Sequence, residues 1–239
     1  MAAIHGMDRN IGLDLILHTP GGDLAATESL IEYLWTMFPG PDIRVIIPQM
    51  AMSGGTLLAL ASKEIIMGAH SSIGPVDPQF GEVSAANVVT EFERAKQDIV
   101  ADPNLAGLWG PILQRYGPTL LTVSEHAVKW ADDIAKHLLT NGMFKDLDET
   151  ERQARIEKVI GQLGRPAESK SHNRHIGIGL ATEIGLMTVS LEDHQDLQDA
   201  VLSLHHAFMI SMPASLTVKI VQNHKGVTVL DSNVANTID

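Results

Sequence analysis

The sequence predicts an α/β fold: a mostly parallel sheet covered by helices, followed by a helical subdomain and a C-terminal return segment. Three observations predict it. Short, uniformly apolar runs alternate with segments of helical spacing through the first part of the chain. The first two of these runs lead into glycine-bearing loops that are followed by helical spacing, as parallel strands require. From Ser84 onward the runs give way to long amphipathic segments with charged faces.

Leu13-Asp14-Leu15-Ile16-Leu17 is the first apolar run, closed by the loop chemistry of His18-Thr19-Pro20-Gly21-Gly22. Leu24, Thr27, Leu30, Ile31, Leu34, Trp35 and Phe38 then recur at helical spacing, with Asp23 placed to cap their N-terminus. Pro39-Gly40-Pro41 stops that helix, and Ile43 to Ile47 reads as the next strand. Thr56 to Ala61 reads as a buried helix and Glu64 to Gly68 as a third strand. Residues 1–83 are therefore expected to form an α/β core. Residues 84–170 read as the helical subdomain, with helices at Val88 to Val100, Thr122 to Leu139 and Glu149 to Leu163. Pro103, Gly110-Pro111 and Gly117-Pro118 punctuate the stretch between the first two. Residues 171–239 form the return segment, with helices at Ile178 to Ile184 and Glu192 to Met209. It ends in a hairpin, Thr217 to Val221 and Val227 to Leu230, turning at Asn223-His224-Lys225-Gly226.

Composition narrows the function. The 239 residues are 44% hydrophobic, enough for one sizeable core. A net charge of −12 offers no electrostatic footprint for nucleic acid or anionic lipid. The absence of cysteine removes disulfides, thiolate metal sites and cysteine nucleophiles. The eleven histidines are scattered and form no HExxH-type pair, so neither a metal nor another cofactor is expected. No apolar run reaches the ~18 residues of a membrane span, and the first residues lack a signal-peptide pattern, so a cytoplasmic location is expected.

Two loops carry the chemistry. In a parallel sheet, loops after neighbouring strands emerge at the same edge, where such sheets bind ligands. Gly21-Gly22 leaves backbone N–H groups free to approach a carbonyl oxygen. In Ala51-Met52-Ser53-Gly54-Gly55-Thr56, Ser53 sits just before a helix, whose free N–H groups and dipole favour developing negative charge. One amide from each loop makes an oxyanion hole, and removing one such donor costs known enzymes about 3–4 kcal/mol. The competing reading of Ser53 is an ordinary helix N-cap.

His18-Thr19-Pro20-Gly21-Gly22, Ala51-Met52-Ser53-Gly54-Gly55-Thr56 and Gly74-Pro75-Val76-Asp77-Pro78-Gln79 together resemble the signature blocks of the serine dehydrogenase proteinase family. Ser171-His172-Asn173-Arg174-His175 and Ala181 to Leu186 resemble its C-terminal block more loosely. That family is Clp-protease-like and related to signal peptide peptidase A, within the Clp/crotonase superfamily. The resemblance implies a Clp/crotonase-type spiral of ββα units, homo-oligomeric assembly and cleavage of a peptide or protein substrate. It implies membrane association only through an N-terminal extension outside this sequence.

Carried over position by position, the resemblance makes Ser53 the nucleophile and Gly22 and Gly54 the oxyanion-hole amides. The family's Ser, Asp, His order maps onto Ser53, Asp77 and His172. Where Clp proteases carry their histidine, this chain has Val76-Asp77-Pro78. A carboxylate can hold an imidazole in the tautomer that accepts the serine proton, so the triad is chemically sound. A Ser–Lys dyad with Lys96 is the alternative, as in signal peptide peptidase A relatives, but it needs a desolvated lysine. Two other functions fit the same fold. A crotonase-like acyl-CoA enzyme would share the oxyanion hole without needing the serine, and a catalytically silent scaffold would use the groove only for binding.

Overall fold

The computed structural model describes residues 2–39, 43–81, 83–164 and 174–232. Strand β1 (Leu13–Ile16) leads through an isolated bridge at Thr19 into helix α1 (Leu24–Met37). The pattern then repeats: β2 (Ile43–Ile47), the short β3 (Met50–Ala51) and helix α2 (Gly54–Leu60). It recurs as β4 (Glu64–Met67) and the short β5 (Ser72–Ile73). A small antiparallel pair, β6 (Gln79–Phe80) and β7 (Val83–Ser84), leads into helix α3 (Ala85–Ala101). Each unit thus contributes one long strand, one short strand position and a helix, which is the ββα repeat that the family resemblance implies.

The long strands form a parallel sheet in the order β1-β2-β4-β8, where β8 is Thr188–Ser190. Val45 pairs with Leu15 on one side and Ile65 on the other, and Ile66 pairs with Val189. The short strands form a second layer. Met50 and Ala51 pair in parallel with Ser72 and Ile73, Thr19 bridges Ala51, and Ile176 bridges Ile73 in the antiparallel sense.

Alternation along the strands sends side chains to two cores. Val45, Ile47, Ile65 and Met67 join Ile134 and Leu138 of helix α5 (Leu120–Asn141) and Ile156 and Val159 of helix α6 (Glu149–Leu163). Ile46 and Ile66 face the other way, against Leu191 and Val201. Val201 lies on helix α8 (Gln195–Ala214), which follows α7 (Ile178–Glu183) and β8. Burial on both faces explains why these strands read as unbroken apolar runs. The helical stretch after Ser84 shares its core with the sheet through α5 and α6.

Local departures from the sequence reading have physical causes. Helix α2 begins at Gly54, two residues earlier than expected, because both glycines are packed into its buried first turn. The punctuated stretch holds a 3-10 turn (Pro103–Leu105) and helix α4 (Ala106–Leu113) with Pro111 inside it. Trp109 stabilises that helix by burying its ring and donating its indole N–H to Asp98 Oδ2 at 3.1 Å. Strand β8 went unread because a three-residue run between Gly185 and a turn carries too little periodicity. The terminal hairpin forms as expected, from β9 (Thr217–Gln222) and β10 (Thr228–Ser232). Among the described residues, no helix is long and apolar enough to cross a membrane.

Candidate active site

Thr19 ties the first glycine loop to the Ser53 turn. Its N–H donates to Met50 O and its carbonyl accepts from Met52 N–H, both at 3.0 Å. Its Oγ1 accepts from Gly21 N–H at 3.1 Å, closing the tight turn. Gly21 has φ of +115°, a conformation that a side chain would strain. Asp23 caps α1 as expected, its Oδ1 accepting from Ala26 N–H at 2.8 Å.

Ser53 occupies the turn between β3 and α2 with φ 50° and ψ −113°, outside the favoured regions for any L-residue. A non-glycine residue held there costs about 1–3 kcal/mol, and such strain clusters at functional sites. Although Ser53 stands at the N-cap position, its side chain makes no capping hydrogen bond. The ordinary reading of a serine before a helix therefore does not account for it. The strand-turn-helix geometry is that of a nucleophile elbow, reached here without the GxSxG sequence. Small residues still stand two positions either side of the serine, Ala51 and Gly55, and Gly21 of the neighbouring loop lies against the turn.

Gly22 and Gly54 lie against each other. A Cβ placed on Gly54 would stand 3.5 Å from Gly22 N and 2.7 Å from Thr27 Oγ1. Gly54 opens α2, where backbone N–H groups have no acceptor within the helix. Gly22 is exposed, and a Cβ on it would meet nothing within 4 Å. Gly55 packs beneath, where a Cβ would fall 2.4 Å from Thr19 Cγ2. The structure thus brings Ser53, Gly22 and Gly54 together.

The Gly74 to Gln79 block is fastened to the same turn by Thr56. This fully buried hydroxyl bridges Ala51 O and Gly74 O, each at 2.9 Å, and accepts from Gly74 N–H at 3.1 Å. Met52 fills the space that a side chain on Gly74 would need. Asp77 is buried, its Oδ2 accepting from Gln79 Nε2 at 3.2 Å. Lys96 projects from α3 into solvent with its side chain 71% exposed, its Nζ 3.8 Å from Glu93 Oε1. That is the opposite of the desolvated setting a lysine base needs. His172 lies outside the described residues. Downstream of it, Ile176 bridges Ile73 and His175 Nδ1 is hydrogen-bonded to Ser72 Oγ at 2.7 Å.

Thr19, Thr27 and Thr56 were not singled out from the sequence, although they lie within or beside the glycine blocks. Their roles depend on which loops meet. A histidine pair also emerged. His18, just before the first glycine loop, meets His205 of α8 with Nδ1 and Nε2 3.1 Å apart. Burial lowers the pKa of both, and for His205 the neighbouring His18, His206 and His70 lower it further. Among the described residues, no group of three or more histidine or carboxylate side chains is arranged to hold a metal ion.

Comparison with known proteins identifies the family. The family model of the ClpP-like SDH-type serine proteinases matches residues 1–185. The uncharacterized protein MJ0137 of Methanocaldococcus jannaschii is 32% identical over 186 residues, covering 78% of this chain and 56% of that protein. The uncharacterized protein MJ1495 of the same organism is 36% identical over 139 residues, covering 58% of this chain and 42% of that protein. The chain spans about half the length of these relatives. With three quarters of its length matched and the glycine blocks meeting around one strained serine, the chain belongs to the ClpP-like SDH-type serine proteinase family.

Proposed function

We propose that this chain is a serine peptidase that cleaves peptide bonds through a Ser53 acyl-enzyme. The observation that carries the reading is the strained backbone of Ser53, whose side chain makes no capping hydrogen bond at the start of α2. In acylation, Ser53 Oγ attacks the scissile carbonyl carbon while its proton passes to the base. The carbonyl oxygen becomes an oxyanion facing the N–H groups of Gly22 and Gly54. Collapse breaks the C–N bond, and the base returns the proton to the leaving amine. A water molecule then attacks the ester, its proton taking the same route, and releases the acid and free Ser53.

His172 is the proposed base and Asp77 its orienting carboxylate. The assignment follows the family's Ser, Asp, His order, and Asp77 is buried in the block that Thr56 fastens to the Ser53 turn. Homo-oligomeric assembly belongs to the same proposal, and light scattering on the purified chain measures it.

The test compares wild type with Ser53→Ala, using a fluorophosphonate probe and a peptide-hydrolysis assay. Labelling and cleavage by wild type alone are expected. Equal behaviour of the two proteins overturns the reading. Turnover of an acyl-CoA thioester by Ser53→Ala would instead favour crotonase-type chemistry, which does not use the hydroxyl.

A further inference from the structure

We infer that Thr56 is a positioning residue that sets the nucleophile turn against the Gly74 to Asp77 block. The inference rests on the proposed peptidase reading and extends it to a residue that never touches substrate.

Thr56 is 0% exposed, and its hydroxyl faces three backbone groups from two separate segments. Ala51 O belongs to strand β3, two residues before Ser53, while Gly74 O and Gly74 N–H open the block that carries Asp77. A hydroxyl has one proton and two lone pairs. Its proton is shared between the two carbonyl oxygens, and a lone pair receives the Gly74 N–H. The two segments are therefore registered through one atom. β3 and β5 are only two residues each, so their own ladder is short. Thr56 continues that ladder past Ile73 toward Asp77.

The neighbouring packing makes this fastening consequential. Met52 Cε would stand 2.5 Å from a Cβ on Gly74, so the residue before the nucleophile is wedged against the same glycine. On the other side, Val76 N–H donates to Leu163 O of α6 at 2.9 Å. The Gly74 to Asp77 block is thus held between the helical layer and Thr56. Without the hydroxyl, the α6 contact, the β3–β5 pairing and the Met52 packing remain, but the hydrogen-bonded link from Gly74 to the serine turn is lost. A displacement of about 1 Å between reacting groups can cost on the order of 100-fold in rate. The γ2-methyl of Thr56 takes no part in this fastening, because the hydrogen bonds run only through Oγ1.

The experiment uses the full chain with Thr56→Val, which keeps shape and removes the hydroxyl, and Thr56→Ser, which keeps the hydroxyl. Peptide hydrolysis and the rate of fluorophosphonate labelling are measured where thermal unfolding shows each protein folded. For Thr56→Val, kcat and labelling rate should fall roughly 10- to 100-fold with KM changed less than about 3-fold, while Thr56→Ser stays within about 3-fold of wild type. A folded Thr56→Val with wild-type kcat overturns the inference, and so does a Thr56→Ser that loses as much activity as the valine variant. Should the valine variant not fold, Thr56→Cys carries the test with its weaker hydrogen-bonding group: an intermediate loss of kcat supports the inference, and wild-type kcat overturns it. Absence of Ser53 labelling in wild type counts against the peptidase reading itself, so the two failures are distinguishable.

Discussion

Gly21 and Ser53 are in direct contact: a Cβ built on Gly21 would stand 2.9 Å from the Cβ of Ser53 and equally close to Met52 O. Real Cβ atoms do not sustain such distances, so the first glycine loop is moulded onto the Ser53 turn. Gly21→Ala should therefore destabilise the chain and slow fluorophosphonate labelling at least ~10-fold, through both the contact and the strained φ. Gly22→Ala adds a methyl in open space and keeps the amide, so its stability should stay within about 0.5 kcal/mol of wild type. Thermal unfolding and labelling of both variants check this pair. Equal effects would contradict the contact.

Strain at Ser53 makes a second prediction. Ser53→Ala and Ser53→Gly both remove the hydroxyl, but only glycine relieves φ 50°. Relief of about 1–3 kcal/mol should outweigh the glycine entropy cost of about 0.5–1 kcal/mol. Ser53→Gly should unfold at a higher temperature than Ser53→Ala, with neither labelled. The reverse order of melting would argue against stored strain.

The choice of base can be read from two substitutions. Lys96→Met should leave labelling within about 2-fold of wild type, because Lys96 sits in solvent beside Glu93. Asp77→Asn should lower kcat by roughly two to four orders of magnitude if it orients an imidazole, as a wrong tautomer does in such triads. A large loss on Lys96→Met with an active Asp77→Asn would reverse the assignment in favour of the dyad.

The His18–His205 pair predicts a pH dependence of stability. Both pKa values are lowered from 6.5 in the folded chain. Below about pH 6.5 the unfolded chain therefore binds more protons at these positions than the folded one, and stability falls with acidification. The contribution is fully present above that pH and is lost as pH falls toward the folded values. Melting temperatures between pH 7.5 and 5 should drop more steeply for wild type than for His205→Phe, which keeps a ring in place but removes one titrating group. Parallel profiles would rule the pair out as the source.

The sequence by itself determined the local grammar. The apolar runs at Leu13, Ile43 and Glu64 became strands, and Asp23 capped α1, because propensity, capping and burial act over a few neighbouring residues. The three glycine blocks were legible as short motifs, and they pointed to Ser53, Gly22 and Gly54, which the structure brings together. Strand β8 was not legible, because its three residues become a strand only by pairing with β4 across more than a hundred positions. Thr56 likewise looks like any helix-start threonine until Gly74 arrives beside it. Tertiary structure decided that Ser53 is held in a strained turn instead of capping α2, that Gly21 is the glycine pressed against it, and that Lys96 faces water. Each of these depends on distances between segments remote in sequence, and such distances exist only once the sheet has set the loops side by side.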